Sequence, residues 1–122
     1  MLFFKRRKLQ KSPCILIQST LRFLYEQDGP HERTLKTQLI TLFLQRQNIL
    51  RAYLARVEYT NPGTYNVALC LRTTTDQEDS TLVDTIGSMF ASIFSADHHL
   101  DILFLTAAQE LQLKEVCNPF FH

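Results

Sequence analysis

The sequence predicts an α+β domain: a two-layer α/β sandwich whose elements run β-α-β-β-α-β, with a short helix closing the chain. Three observations point there. Apolar residues alternate with period two in three separate runs, and two intervening segments carry them at helical spacing. The whole is 45% hydrophobic and 20% charged, with only 3 Gly and 4 Pro to interrupt 122 residues. A chain of about this length buries roughly two-thirds of the surface its unfolded form exposes, so one core can form without disulfides or metals. The expected division is a basic N-terminal arm over residues 1–13 and a single domain over residues 14–122.

Over residues 19–27, Leu21, Phe23 and Tyr25 alternate with Thr20, Arg22 and Glu26, which predicts a strand. Asp28-Gly29-Pro30 then turns the chain, and Pro30 suits the start of a helix over residues 31–47, with Glu32 near its positive end. Leu35, Leu39, Leu42 and Phe43 form its buried stripe. Period two returns over residues 49–59, where Tyr53, Ala55, Val57 and Tyr59 share one face and Leu50, Ala52, Leu54 and Arg56 the other. After the turn residues Asn61-Pro62-Gly63-Thr64, Tyr65, Val67, Leu69 and Leu71 alternate with Asn66, Ala68, Cys70 and Arg72, so the two strands make a hairpin.

A polar loop over residues 73–79 follows, in which Thr75 or Asp76 is the expected cap of a second helix. That helix carries Leu82, Val83, Ile86, Phe90, Ile93 and Phe94 on one face, and Gly87 in its middle marks close packing. Residues 100–105 read as a buried strand. Thr106 and Gln109 have capping-box spacing and open a last helix reaching about Cys117, which Asn118-Pro119 ends. In a ferredoxin-like sheet, right-handed crossovers place the 100–105 strand beside the first one. The related alternative is a mixed sheet extended by a strand from Leu2 to Ile17. Leu50, Leu54 and Cys70 need cover on the second sheet face, from the terminal helix or a second subunit.

The composition excludes several classes. Thirteen basic against twelve acidic residues leave a formal charge of +1, too small for a polyanion binder. Five of those basic residues, Lys5, Arg6, Arg7, Lys8 and Lys11, fall in the first eleven positions, which suits a solvated arm or a charge-guarded edge strand. Charges following Phe3-Phe4 reverse the order of a signal peptide, and no uncharged apolar run approaches a membrane span. Cys14, Cys70 and Cys117 are too few and scattered for a disulfide framework. A cytoplasmic location with no membrane span is the expectation.

Catalytic and cofactor motifs are sparse, and no cofactor or metal is expected. No paired cysteines have zinc spacing, and three glycines could hardly build a phosphate loop. Cys70 lies mid-strand among aliphatics, an inert packing position. Asp97-His98-His99-Leu100-Asp101 is the one dense group of metal-ligand types, yet adjacent residues on a strand face opposite ways, so it reads as a polar loop. Glu78 and Asp79 precede a helix and favour its positive end. The Tyr65 strand lacks the basic, glycine-containing pattern of RNA-binding sheets, so no nucleic acid is expected as partner.

Three short strings, Arg51-Ala52-Tyr53-Leu54-Ala55, Leu100-Asp101-Ile102 and Asn118-Pro119-Phe120-Phe121, stand in an order and spacing that resembles the C-terminal domain of the SseB family, named for enhanced serine sensitivity. The likeness covers about residues 20–121. It implies a bacterial domain without defined catalytic residues, linked to amino-acid metabolism or its control. The separate N-terminal domain usual in that family has no room in this chain.

The expectation is therefore a non-enzymatic interaction or accessory domain, self-associating as a homodimer or binding a protein partner. Its interaction residues would be Tyr53, Tyr59, Tyr65, Phe120 and Phe121, since aromatics dominate interface energetics. Tyr53 and Tyr59 are expected at a sheet surface, whereas Phe120 and Phe121 could also tuck against the sheet as an anchor. One alternative is an amino-acid-sensing regulatory domain, which a polar crevice near Asp28-Gly29 or Asp97 to His99 would favour. Another is an immunity-like protein that neutralises a toxin.

Overall fold

The computed structural model describes residues 3–8, 21–59, 65–75 and 79–122. Its elements are β1 (Phe3–Lys8), β2 (Arg22–Glu26), α1 (Pro30–Leu44), β3 (Ile49–Glu58), β4 (Tyr65–Thr73), α2 (Ser80–Ile93), β5 (His99–Phe104) and α3 (Ala107–Lys114). The strands form one mixed sheet in the order β1-β5-β4-β3-β2. β2, β3 and β4 are successively antiparallel, while β5 runs parallel to both β4 and β1.

The α+β class, the element order and the mixed sheet agree with the sequence expectation. The position of β5 does not. It lies between β4 and β1, not beside β2, because the connection through α2 returns the chain next to β4 and leaves β2 at the far edge. The basic run at the N-terminus belongs to an edge strand, with Phe3 opposite His99 and Lys8 opposite Phe104.

Each face of the sheet has its own core. On one, Leu35, Leu39 and Phe43 of α1 and Leu82, Val83, Ile86 and Phe90 of α2 pack on Ala52, Leu54, Leu69, Leu71, Leu100 and Ile102. On the other, Leu113 of α3 and the following Cys117 cover Tyr53, Ala55, Cys70 and Leu103. The terminal helix thus supplies the cover the second face requires. Leu54 and Cys70, expected on one face, lie on opposite faces: Cys70 pairs with Tyr53, and Leu54 points to the helices.

Helix ends follow local chemistry. α2 is capped by Asp79, whose Oδ1 accepts the Leu82 N–H at 3.0 Å, and not by Thr75 or Asp76. The other Asp79 oxygen accepts from Arg46 Nη1 at 3.0 Å, tying the end of α1 to the start of α2. The predicted capping box of α3 is present: the Gln109 N–H donates to Thr106 Oγ1 at 3.2 Å and the Thr106 N–H to Gln109 Oε1 at 2.8 Å. Asn61-Pro62-Gly63-Thr64, Cys14 and Glu78 lie outside the described residues. Among those described, no helix is long and apolar enough to cross a membrane.

The chain end completes the sheet. β2 pairs with β3 only from Ala55 to Glu58, and the Gln27 N–H reaches the Leu54 carbonyl at 2.9 Å. Ala52, next along that edge, donates its N–H to the Phe121 carbonyl at 3.0 Å and accepts the Phe120 N–H at 2.9 Å. Residues 120–121 therefore take over the edge of β3 where β2 stops.

Candidate functional site

A pocket of about 180 Å³ opens at one end of the sheet, between the first turn of α1 and the last turn of α2. Its walls are apolar: Leu35 from α1, Leu54 from β3, Val67 from β4, Leu100 from β5, and Phe90 and Phe94 from the end of α2. The polar groups are Gln27 and His98 from the flanking turns, Glu32 from α1, Arg56 from β3 and His99 from β5. The site thus lies between Gln27 and Glu32 on one side and His98 and His99 on the other.

Strand register explains the arrangement. Arg56 faces Val67 across the β3–β4 pair, and Val67 faces Leu100 across β4–β5, so the three form a row at the mouth. Arg56 Nε donates to Gln27 Oε1 at 3.2 Å, and Gln27 Nε2 donates to Glu32 Oε2 at 3.1 Å. This relay joins β3 to the start of α1. The other Glu32 oxygen sits over Gly29, where an added Cβ would approach it to 2.5 Å, so the glycine leaves room for the carboxylate. At the opposite rim the Phe90 and Phe94 rings stack with centroids 4.5 Å apart, and Phe94 also contacts His31 and His98.

A second polar cluster lies beneath α3. Glu110, 5% exposed, accepts from Arg51 Nε at 2.5 Å, Arg51 Nη2 at 3.0 Å and the Tyr53 hydroxyl at 2.6 Å. Arg72 Nε lies 3.4 Å from the same carboxylate, an ion pair without hydrogen-bond geometry. The Arg51 hydrogen bond above all holds the Glu110 pKa down at about 2, against the effect of burial. Burial, reinforced by the negative Glu110, raises that of Tyr53. The cluster is a buried tether for α3.

The residues expected at an interface divide. Tyr53 is not at a surface: it is fully buried, because α3 lies over it and Glu110 takes its hydroxyl. Tyr59 is partly buried and its hydroxyl donates to Asp101, which His99 Nε2 also meets at 2.9 Å. Tyr65 opens β4 opposite Glu58. Phe120 and Phe121 are partly buried against Phe43, at centroid distances of 6.4 and 5.4 Å. Their backbone pairs with Ala52 of β3.

His98 and His99 diverge as strand geometry requires. His98 Nδ1 meets Ser95 Oγ at 2.7 Å, while His99 turns to Asp101. Among the described residues no group of three His, Cys, Asp or Glu is placed to hold a metal. Cys70 and Cys117 are buried free thiols; burial raises both pKa values, that of Cys117 to about 12. Neither has the thiolate character a nucleophile needs.

Sequence reasoning missed Arg56 as a site residue. Its signal was present, since the alternation placed this one charged residue on the face of Ala52 and Leu54.

Comparison with curated proteins and with solved structures found no match. The family model of the SseB protein C-terminal domain matches residues 25–122, which takes in the pocket, the Glu110 cluster and the tail. The chain belongs to the SseB family, through its C-terminal domain.

Proposed function

We propose that this domain is a non-enzymatic regulatory or accessory module that works by binding a small molecule in the pocket between α1 and α2. The observation that carries this reading is the pocket itself, a preformed cavity with apolar walls and polar groups converging from two turns, a helix and two strands. Its volume matches a ligand of about six to eight non-hydrogen atoms, given that a cavity of roughly 150 Å³ accepts benzene. The most strongly perturbed groups elsewhere support a role without chemistry. Glu110 is bound to Arg51 and Tyr53, and the cysteines are protonated packing residues.

A second reading, self-association through the sheet, is favoured by β2. It is an outer strand of five residues with one backbone edge unpaired among the described residues, and its Tyr25 is 54% exposed. Native mass spectrometry of the purified chain, with amino acids and small organic acids added in turn, separates the two. A one-to-one adduct is expected. A concentration-dependent dimer that never gains ligand mass would favour self-association instead.

A further inference from the structure

We propose that the ligand of this pocket is a small monocarboxylate with a short apolar tail, its carboxylate held by the Arg56 guanidinium. The inference rests on the pocket being a binding site and deepens that reading. Six arginines have described side chains. Arg22, Arg33, Arg46, Arg51 and Arg72 each pair with a carboxylate: Glu58, Asp28, Asp79, and Glu110 twice. Arg56 alone among them has no carboxylate within ion-pair distance, although it is partly buried at the mouth of the cavity.

A guanidinium carries five N–H donors, and the described residues engage one, the Nε–H given to Gln27. That bond fixes the plane of the head group and leaves both Nη groups for a ligand. A partly buried cation without a counter-charge is costly, and a bidentate carboxylate is the partner that best fits its fork.

The remaining walls narrow the class. Glu32, two hydrogen bonds from Arg56, disfavours a second negative charge, so a dianion such as phosphate is a poor fit. Leu54, Phe90 and Leu100 offer only apolar contact to the rest of the molecule. A plain short-chain acid and an α-amino acid share this chemistry. They differ in whether an ammonium stands near Glu32.

The test uses butyrate, L-2-aminobutyrate, the neutral isostere butyramide and the cation butylammonium, followed by amide proton–nitrogen correlation NMR on the whole chain. Butyrate or aminobutyrate should give saturable shifts at Gln27, Glu32, Arg56 and Leu100 with a Kd at or below about 1 mM. Butyramide should bind at least about tenfold more weakly. Arg56→Gln should lose about tenfold or more toward the acids while keeping its thermal midpoint and its butyramide response. Arg56→Lys, which keeps the charge, should fall between. Tighter binding of aminobutyrate identifies an amino acid as the source, and tighter binding of butyrate a plain acid.

Equal binding of butyramide or butylammonium, with shifts unchanged in Arg56→Gln and Arg56→Lys, would overturn the carboxylate assignment and leave the pocket a binding site. Absence of saturable pocket shifts with all four probes would overturn both.

Discussion

Glu110 shows how one carboxylate can hold an element in place. Its folded pKa, about 2, lies below the ordinary carboxylate value, chiefly through the Arg51 hydrogen bond. The stabilisation it contributes is therefore complete above about pH 5 and is lost as pH falls toward 2. A depression of that size corresponds to about 3 kcal/mol. Glu110→Gln should lower the unfolding free energy by about that amount at neutral pH, because Arg51 and Arg72 keep their charges without a counter-ion. It should also flatten the acid limb, which urea midpoints measured from about pH 7 down to 3 would record. Midpoints that fall equally in both proteins would show that the acid sensitivity arises elsewhere.

The elements were largely legible in the sequence, and their neighbours were not. The helical stripe Leu35, Leu39, Phe43 and the capping box Thr106–Gln109 are short-range patterns, and both hold in the structure. β5 was recognisable as a strand, but its place depends on where α2 sets the chain down, which no local spacing records. The exposure of Tyr53 failed for a related reason: alternation assigns a face, and only α3, more than fifty residues on, decides whether that face is wet. Arg56 was legible as a charge among apolar neighbours and lacked only the pocket that gives it meaning.

The tail is the element with the sharpest test. Phe120 and Phe121 pack on Phe43 while their backbone completes the edge of β3. Replacing both with Ala should cost about 2–4 kcal/mol, less than two fully buried phenylalanines would. Denaturation of the monomer should show this loss. Dissociation of an otherwise stable fold would instead reveal an interface.

At the scale of the molecule, the sheet ends in two outer strands of unequal character. β2 is short, flanked by ion pairs such as Lys36 with Glu26 at 3.2 Å, and followed by the tail. β1 pairs through all six of its residues with β5, whose side chains from Leu100 to Phe104 are buried. Deleting residues 1–8 should bare the backbone edge of the six-residue β5 and drive association between copies. Size-exclusion chromatography would detect it as a concentration-dependent larger species; a shortened chain that stays monomeric would show that the edge of β5 has other protection.

The parallel pairing of β5 on both sides also sets a timetable for folding. β3 and β4 are neighbours in sequence, and a hairpin closes in about 1–10 μs. β4 and β5 are joined through α2, and the β1–β5 pair, with Phe3 opposite His99, spans nearly the whole chain. Loop-closure entropy must be overcome before these distant contacts reward it. The β3–β4 strands are thus the natural nucleus and β1 the last to dock, so substitutions in β3, such as Val57→Ala, should slow refolding, whereas weakening the β1–β5 seam should mainly hasten unfolding.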